Sequence, residues 1–204
     1  SYQFDLQHSA GLIHSRLGSF DPLNYHKLPA PEELQFHRVE VDRIAIIQLY
    51  VNDFQIVENI CIANGCTILE TIPDSSWRIR LSKNPIDSLY HISQNEQVRW
   101  IGPEIAALRL HESLVYSWDN LPKELDLVAL PAPDISESEI SSLVNDLSLL
   151  NVNEVTCDIA MCRILGMSAA NDFGQRIQLK TMLNDGRLLF IEPLVPLRVL
   201  NAQA

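Results

Sequence analysis

The sequence predicts an α+β chain in which one βαββαβ unit occurs twice, and two observations support that prediction. The first is an apolar motif, VRWIGPEIAALRL at 98–110, which recurs as LLFIEPLVPLRVL at 188–200. The second is the order of segments before each copy, which reads strand, helix, strand, strand, helix, strand. Each motif predicts a closing strand that ends at a proline, because proline cannot donate to a strand ladder. In each copy an extended apolar tail is expected to follow that proline. A duplication within 204 residues favours two small domains.

Composition indicates a folded, acidic protein. Apolar residues make up 47% of the chain and charged residues 20%, which is ordinary for globular proteins and excludes a disordered class. The formal net charge of -11 argues against nucleic acid and against an anionic membrane as partners. No apolar run approaches the roughly 18 residues of a membrane span. No basic and then apolar leader opens at Ser1, so we expect any export signal to have been removed or left out.

The predicted organisation is an irregular arm at 1–41, a first domain at 42–112, a connector at 113–123 and a second domain at 124–204 that ends in a tail. The arm is predicted to be irregular because turn-forming runs at 18–22 and 29–31 interrupt it. It also carries three of the six histidines below residue 30. We interpret it as a segment laid over the surface.

The first domain opens with a nearly uninterrupted apolar run at 44–51, which predicts a buried strand. Asn52 resembles the N-cap of a helix that ends at Asn64-Gly65, where glycine supplies the left-handed position. A second helix is expected to start at Asn84-Pro85, since proline favours the first helical position. The remaining strands are predicted at 67–72, 77–81 and 98–101.

The second domain repeats this order. Ser136 and Glu139 form a predicted capping box, and apolar residues follow at helical spacing as far as Leu150. The stretches 154–157 and 163–167 predict a hairpin. The opening strand, the second helix and the closing strand are expected at 125–130, 173–183 and 187–191.

This order of elements is that of the ferredoxin-like fold, so the sequence predicts two tandem ferredoxin-like domains with antiparallel sheets. Both helices would cover one face of each sheet and leave the other face free to pack on something else. Arg78 and Arg80 alternate with Trp77 and Ile79 and are assigned to that second face, either solvated, which we favour, or within a docking surface. Trp77, Trp100 and Phe190 are predicted to be core residues.

Four cysteines fall in two local pairs, Cys61 with Cys66 and Cys157 with Cys162. A helix that ends with Gly65 in the left-handed position puts Cys61 and Cys66 at two positions that ordinarily make contact. Cys157 and Cys162 flank a hairpin loop and can face each other across it. Two local disulfides, each contributing ~2 kcal/mol, are one interpretation. Buried free thiols and a shared zinc site are the alternatives; the spacing is atypical for zinc, so we predict no metal.

Several short motifs resemble one protein family. GSFDP at 18–22, IPDSSWRIRL at 72–81 and VRWIGP at 98–103 are similar to the region that precedes the catalytic domain in long bacterial and archaeal subtilisin-like serine proteases, or subtilases. FIEP at 190–193, with the tail to Asn201, resembles the closing strand of a subtilase propeptide. The likeness covers most of the chain, and the order of the motifs is more specific than any one of them.

The resemblance implies a propeptide that acts as an intramolecular chaperone and inhibitor. Its open sheet face would pack on a subtilisin-like catalytic domain, in cis or in trans, and its C-terminal tail would lie like a substrate in the protease cleft. An extended tail suits this role because a cleft can pair with it through main-chain hydrogen bonds. The tail residues so assigned are Leu197, Leu200, Asn201, Ala202, Gln203 and Ala204. The local cysteine pairs and the resemblance together predict a secreted or extracytoplasmic location.

The sequence gives no sign of catalysis by this chain. The Asp-Thr-Gly, His-Gly-Thr and Gly-Thr-Ser motifs of subtilases are absent, and the six histidines are interpreted as solvated or capping residues. There is no glycine-rich phosphate loop, so no cofactor is predicted. Two other functions stay open: a protein-interaction module that is retained in a secreted protease, and a small-molecule regulatory pair on the same fold.

Overall fold

The computed structural model describes residues 12–22, 28–35, 43–168, 172–184 and 186–195, and it divides the chain into two compact units. The described part of the first unit is 12–22, 28–29 and 43–104. The described part of the second unit is 30–35, 105–168, 172–184 and 186–195. The unit boundary at Glu104 thus gives residues 105–112, which we had assigned to the first domain, to the second unit.

The first unit contains a small hairpin and a four-stranded sheet with two helices. Its elements are β1 (Ile13–Ser15), β2 (Gly18–Phe20), β3 (Ile44–Leu49), α2 (Phe54–Ala63), β4 (Thr67–Ile72), β5 (Ser76–Arg80), α3 (Pro85–Ser93) and β6 (Val98–Pro103). The second unit contains α1 (Glu32–Gln35), two 3-10 helices (Ala106–Arg109 and Trp118–Asn120), α4 (Glu112–Tyr116), β7 (Glu124–Pro131), α5 (Glu137–Leu147), β8 (Glu154–Cys157), β9 (Cys162–Ser168), α6 (Phe173–Asn184) and β10 (Leu188–Pro193).

Both four-stranded sheets have the same strand order. The first sheet is ordered β4-β5-β3-β6 and the second β8-β9-β7-β10, and every neighbouring pair is antiparallel. In each sheet the opening strand lies between the closing strand and the third strand. The predicted α+β class with antiparallel sheets is confirmed.

The core of the first unit lies between its sheet and its two helices. Alternate residues of β3 and β5 are buried together with residues of α2 and α3, because successive side chains of a strand point to opposite faces. The buried cluster consists of Ala45, Ile47, Leu49, Val57, Ile60, Cys61, Trp77, Ile79, Leu81, Ile92 and Val98. The predicted placement of Trp77 and Ile79 on one face is therefore confirmed.

The helix ends follow local sequence rules, with one correction. The side chain of Asp53, not Asn52, caps α2 by accepting from the amides of Gln55 and Ile56. Both Asn and Asp are good N-caps, so composition alone could not choose between neighbours. At the other end Gly65 has φ +63°, and the amide of Cys66 donates to the carbonyl of Cys61 at 2.9 Å, as the predicted left-handed ending requires.

The N-terminal region, expected to be irregular, contains the β1–β2 hairpin and the short helix α1. Ile13 and Phe20 of the hairpin are buried. Within the first unit, the side-chain amide of Gln48 donates to the carbonyl of Leu12 at 3.4 Å. Nε2 of His14 lies 3.4 Å from a carboxylate oxygen of Asp74, in the β4–β5 turn. These long-range contacts order a segment whose local sequence shows only turn signals.

The segment after β6 is helical and buried, where the sequence suggested an extended tail and then a connector. Leu110 forms a parallel bridge with Ile191, and the amide of His111 donates to the carbonyl of Ile191 at 2.8 Å. Arg109, 1% exposed, donates to the carbonyl of Leu183. Trp118 is fully buried. The predicted connector is therefore part of the second unit, and the residues just before it, Leu110 and His111, pair with β10.

The second unit buries one face of its sheet. Leu125, Leu127 and Ala129 alternate along β7 and are buried, while the residues between them are half-buried or exposed. On α5 the buried residues are Ile140, Leu143 and Leu147, and the predicted Ser136–Glu139 capping box is present. This amphipathic alternation is what the sequence predicted for β7 and α5.

Candidate functional site

The candidate site is the face of the second sheet that alternates with the buried one, and we call it the outer face. Its central row crosses all four strands. Thr156 lies opposite Arg163, Arg163 lies opposite Val128, and Val128 lies opposite Glu192. Residues directly opposite each other in an antiparallel pair share a face, so these four side chains form one row.

Two more rows flank this central row. In the row nearer the β8–β9 turn, Leu130 lies opposite Phe190 on β10. On its other side, Met161 precedes Cys162, which lies opposite Ala129, and so stands level with Leu130. Towards the start of β7, the amide of Leu194 donates to the carbonyl of Asp126 at 2.9 Å. Leu130 is 38% exposed, Met161 37% and Leu194 46%, whereas Phe190 is buried as predicted. The outer face thus offers solvent a mixed surface of apolar side chains with Arg163, Thr156 and the acidic residues Asp126 and Glu192.

The equivalent face of the first sheet is closed. Its central row is Glu70, Arg78, Ile46 and Gly102, read across the strands in the same order. Every residue of β3 and of β5 is buried, on both faces of the sheet. Arg78 and Arg80 are each 9% exposed, so our expectation that they are solvated was wrong.

Arg78 is buried because carboxylates neutralise it. Nε of Arg78 donates to Glu104 at 2.7 Å and its Nη2 donates to the other oxygen of Glu104 at 2.6 Å, which is a bidentate pair. Nη1 donates to Glu70. Burial alone lowers the pKa of Arg78, but the charges and hydrogen bonds of Glu104 and Glu70 outweigh it, so the pKa of Arg78 is raised. The guanidinium therefore stays charged inside the unit.

Gly102 completes the closed face. A Cβ placed on Gly102 would collide with the indole of Trp100, so the ring lies against the backbone of this residue. Trp100, predicted to be core, is half-buried on this face. Ninety residues later, at the position equivalent to Gly102 in the repeated motif, Glu192 carries a side chain on the outer face.

The predicted protease-cleft tail follows the outer face. The described chain continues past β10 to Leu194 and Val195, which is 70% exposed. The assigned tail residues, Leu197, Leu200, Asn201, Ala202, Gln203 and Ala204, lie outside the described residues. Their placement in a cleft stays a prediction.

Cys157 and Cys162 are joined by a disulfide across the β8–β9 turn, with 4.0 Å between their Cα atoms. They are register partners in the two strands. Inside the turn, Oδ1 of Asp158 accepts from the amides of Ala160 at 2.7 Å and Met161 at 2.8 Å. These bonds, the amide of Met161 first, lower the pKa of the Asp158 carboxyl. The turn exposes Ile159 at its tip.

Cys61 and Cys66 are free thiols, so the predicted disulfide between them is not formed. Cys61 is 2% exposed and belongs to the core cluster of the first unit, which directs its side chain into apolar packing. The Cys66 thiol donates to the carbonyl of Asn64. Burial, and then the neighbouring Cys66, raises the pKa of Cys61 to about 12. Burial also raises the pKa of Cys66. The second interpretation, buried free thiols, describes this pair.

Within the described ranges, no group of three or more His, Cys, Asp or Glu side chains is placed to hold a metal ion. In the same part of the chain no helix is long and apolar enough to cross a bilayer. His14 hydrogen-bonds Ser19, and His111 caps α4 by accepting from the amide of Ser113.

Sequence reasoning missed Glu104, whose importance comes from a contact with Arg78 across 26 positions. A signal did exist, because a lone acidic residue followed by the apolar run IAALRL is unusual for an exposed site. The turn-stabilising role of Asp158 was missed as well. An Asp at the start of a four-residue loop between two cysteines could have indicated it.

The described residues define an α+β protein with two four-stranded antiparallel sheets. The first sheet has its two central strands buried on both faces, and the second has an open outer face. Comparisons of the chain with protein-family models, with curated proteins and with solved structures find no match.

Proposed function

We propose that the chain is a propeptide-type chaperone and inhibitor of a subtilisin-like serine endopeptidase, built from two tandem ferredoxin-like domains. In this proposal the second unit docks on the catalytic domain through its outer face, and the tail at 197–204 enters the protease cleft. The chain acts by binding, without catalytic residues of its own.

The fold assignment is supported by strand order. In both four-stranded sheets, numbering the strands of the sheet from one to four in chain order gives the spatial order 4-1-3-2 with all neighbours antiparallel. In each sheet one helix follows the first strand and another follows the third, namely α2 and α3 in the first sheet and α5 and α6 in the second. That order and connectivity are those of a split βαβ arrangement.

The contrast between the two sheets is the observation that carries the function. A soluble domain normally covers its apolar sheet face or fills it with charged residues. In the first unit every residue of β3 and of β5 is buried, and Glu70 and Glu104 neutralise Arg78. The second unit leaves Val128 half-buried and Leu130 exposed on its central strand. A half-covered sheet next to the start of a tail is the surface that a docked propeptide needs.

The physical gain from this arrangement is preorganisation. A folded unit that holds the start of the tail at Leu194 lowers the ordering entropy that the tail loses in a cleft. A unit that binds the folded enzyme and not its unfolded chain also stabilises the enzyme by linkage. Inhibition and assisted folding therefore follow from one interface.

The test is inhibition of a panel of purified subtilisin-like catalytic domains by the chain and by two variants. We expect slow, tight inhibition by the intact chain, loss of inhibition on deletion of 197–204, and weaker inhibition by Leu130→Asp. Leu149→Asp is the matched control, because Leu149 is 73% exposed and lies outside the outer face. Equal inhibition by the truncated chain would reject the tail, and no inhibition of any enzyme would reject the function.

A retained protein-interaction module of a secreted protease is the second candidate, and one observation favours it. Although its sheet is closed, the first unit exposes Tyr50, Val51 and Phe54 at 66%, 52% and 53% around the start of α2. Three large apolar side chains so close together are typical of a contact surface. Finding this chain still covalently joined to a mature, active protease would favour the module over the propeptide.

A further inference from the structure

The two sheets share an arginine at the same place, and only one of the two arginines is enclosed. Arg78 and Arg163 each lie on the third strand of their sheet, opposite a central apolar residue, Ile46 or Val128. Arg78 is buried, whereas Arg163 is exposed. The partners of Arg78 in the first sheet therefore indicate which groups Arg163 would need if the outer face of the second sheet were covered.

Backbone hydrogen bonds establish the equivalence of the neighbouring positions. The amide of Glu104 donates to the carbonyl of Ile44 at 2.9 Å, and the amide of Leu194 donates to the carbonyl of Asp126 at 2.9 Å. Ile44 and Asp126 each stand two residues before the central apolar residue of their strand. Leu194 thus occupies the position of Glu104, ninety residues later, as the repeated motif predicts.

The carboxylates that bind Arg78 have no counterpart at the equivalent described positions of the second unit. Glu104 is replaced by Leu194, and Glu70, which lies opposite Arg78, is replaced by Thr156, which lies opposite Arg163. An arginine buried without carboxylates is strongly destabilising. The acidic residue of this row, Glu192, lies two strands away from Arg163, on the far side of Val128. A partner that covers Arg163 therefore has to bring a carboxylate to it.

We propose that the enzyme docked on the outer face presents an acidic side chain to Arg163, in the place that Glu104 takes over Arg78. This inference rests on the proposed function and names the chemistry of its interface. The partner surface is apolar where it meets Val128 and Leu130, and it carries an Asp or Glu at the centre that accepts a bidentate bond from the guanidinium.

The experiment measures the inhibition constants of the intact chain, Arg163→Met and Arg163→Lys on the same panel of subtilisin-like catalytic domains. Lys123→Met is the matched control, because Lys123 is also exposed in the second unit and loses the same charge. We expect Arg163→Met to weaken inhibition by about thirtyfold or more, with Arg163→Lys in between and Lys123→Met within about twofold of the intact chain. Unchanged thermal midpoints would show that each variant is folded, as the exposure of Arg163 leads us to expect.

The two proposals fail in different ways. If the intact chain inhibits and Arg163→Met inhibits as well as Lys123→Met, the acidic partner group is rejected and the proposed function stands. If Arg163→Lys alone matches the intact chain, the bidentate bond is rejected in favour of a point charge. If the intact chain inhibits none of the enzymes, the proposed function and this inference are rejected together.

Discussion

Replacing Glu104 by Gln tests whether the closed sheet depends on a buried ion pair. The carboxylate is 1% exposed and binds Arg78 through two hydrogen bonds of 2.7 and 2.6 Å. Gln is close to Glu in size and keeps one acceptor, so the substitution removes charge without opening a cavity. Of the two carboxylates that contact the buried guanidinium of Arg78, Glu70 then remains.

The expected loss follows from the cost of an unpaired buried charge. Removing one member of a buried pair costs about 3–5 kcal/mol. Because Glu70 still contacts Arg78 and its side chain is 50% exposed, we place Glu104→Gln at the lower end, at about 3 kcal/mol. Folded domains are stable by only about 5–15 kcal/mol, so the first unit would lose a large share of its stability.

Urea unfolding followed by tryptophan fluorescence measures this loss, since Trp77 lies in the core of the first unit. Because the chain has two units, the unfolding curve must be fitted with separate transitions. With a slope of about 2 kcal/mol per molar urea, the transition of the first unit should move by about 1.5 M. The double variant Arg78→Met, Glu104→Leu should recover most of the loss, because apolar groups can replace a buried pair at little cost.

Asp146→Asn is the matched control. Asp146 binds Arg187 at 2.6 Å, but its side chain is 40% exposed and it lies in the last turn of α5. Exposed pairs contribute about 0–1 kcal/mol, and a negative charge at a helix C-terminus is unfavourable, so little change is expected. A loss of stability below about 1 kcal/mol for Glu104→Gln, or equal losses for both variants, would contradict this reasoning. The buried Arg78–Glu104 pair would then contribute no more than the exposed Arg187–Asp146 pair.

Three further outcomes are expected. Gly166→Ala should lower the thermal midpoint of the second unit, because Gly166 has φ +60°, a conformation that costs an alanine about 1–2 kcal/mol, and its new Cβ would collide with the side chain of Asn153; an unchanged midpoint would contradict this strain. Cys61, with a pKa of about 12, should resist iodoacetamide at about pH 8 in the native protein and react only after unfolding, and rapid native labelling would contradict its burial. The pKa of Asp158 is lowered in the folded state, so the stability that its carboxylate gives the turn is complete above the ordinary pKa of 3.8 and is lost as the pH falls through the lower folded pKa. The NMR shifts of the amides of Ala160 and Met161, which donate to this carboxylate, should titrate at that lower pKa, and Asp158→Asn should abolish their titration.

Much of the fold could be predicted because it depends on local patterns. Period-two alternation at 124–131 and helical spacing at 137–147 are visible in the sequence, and so are the Ser136–Glu139 capping box and the glycine at 65. The cysteine pair at 157 and 162 was readable as a bridge because both residues flank one short turn.

Other features could not be predicted because they depend on contacts that are distant in sequence. The β1–β2 hairpin is held near Gln48 and Asp74, and the segment after Glu104 is ordered by Ile191. A run of apolar residues such as 105–110 fits a strand or a buried helix equally well, so periodicity alone cannot assign it. For Cys61 and Cys66 the sequence predicts proximity, but not whether the thiols are oxidised.

The candidate site is defined by a difference between equivalent positions of the two sheets, which lie about ninety residues apart in the sequence. Sequence alternation placed Arg78 on the second face, but it could not reveal that Glu104 encloses it, because that carboxylate comes from the residue that follows β6. The second repeat lacks the two carboxylates that neutralise the arginine of the first. Thr156 and Leu194 stand where Glu70 and Glu104 would neutralise an arginine, yet Arg163 is present. Arg163 is exposed in the chain by itself, and Glu192, the acidic residue of the same row, lies two strands away. An interface that buries Arg163 would need an acid from the partner, as inferred above.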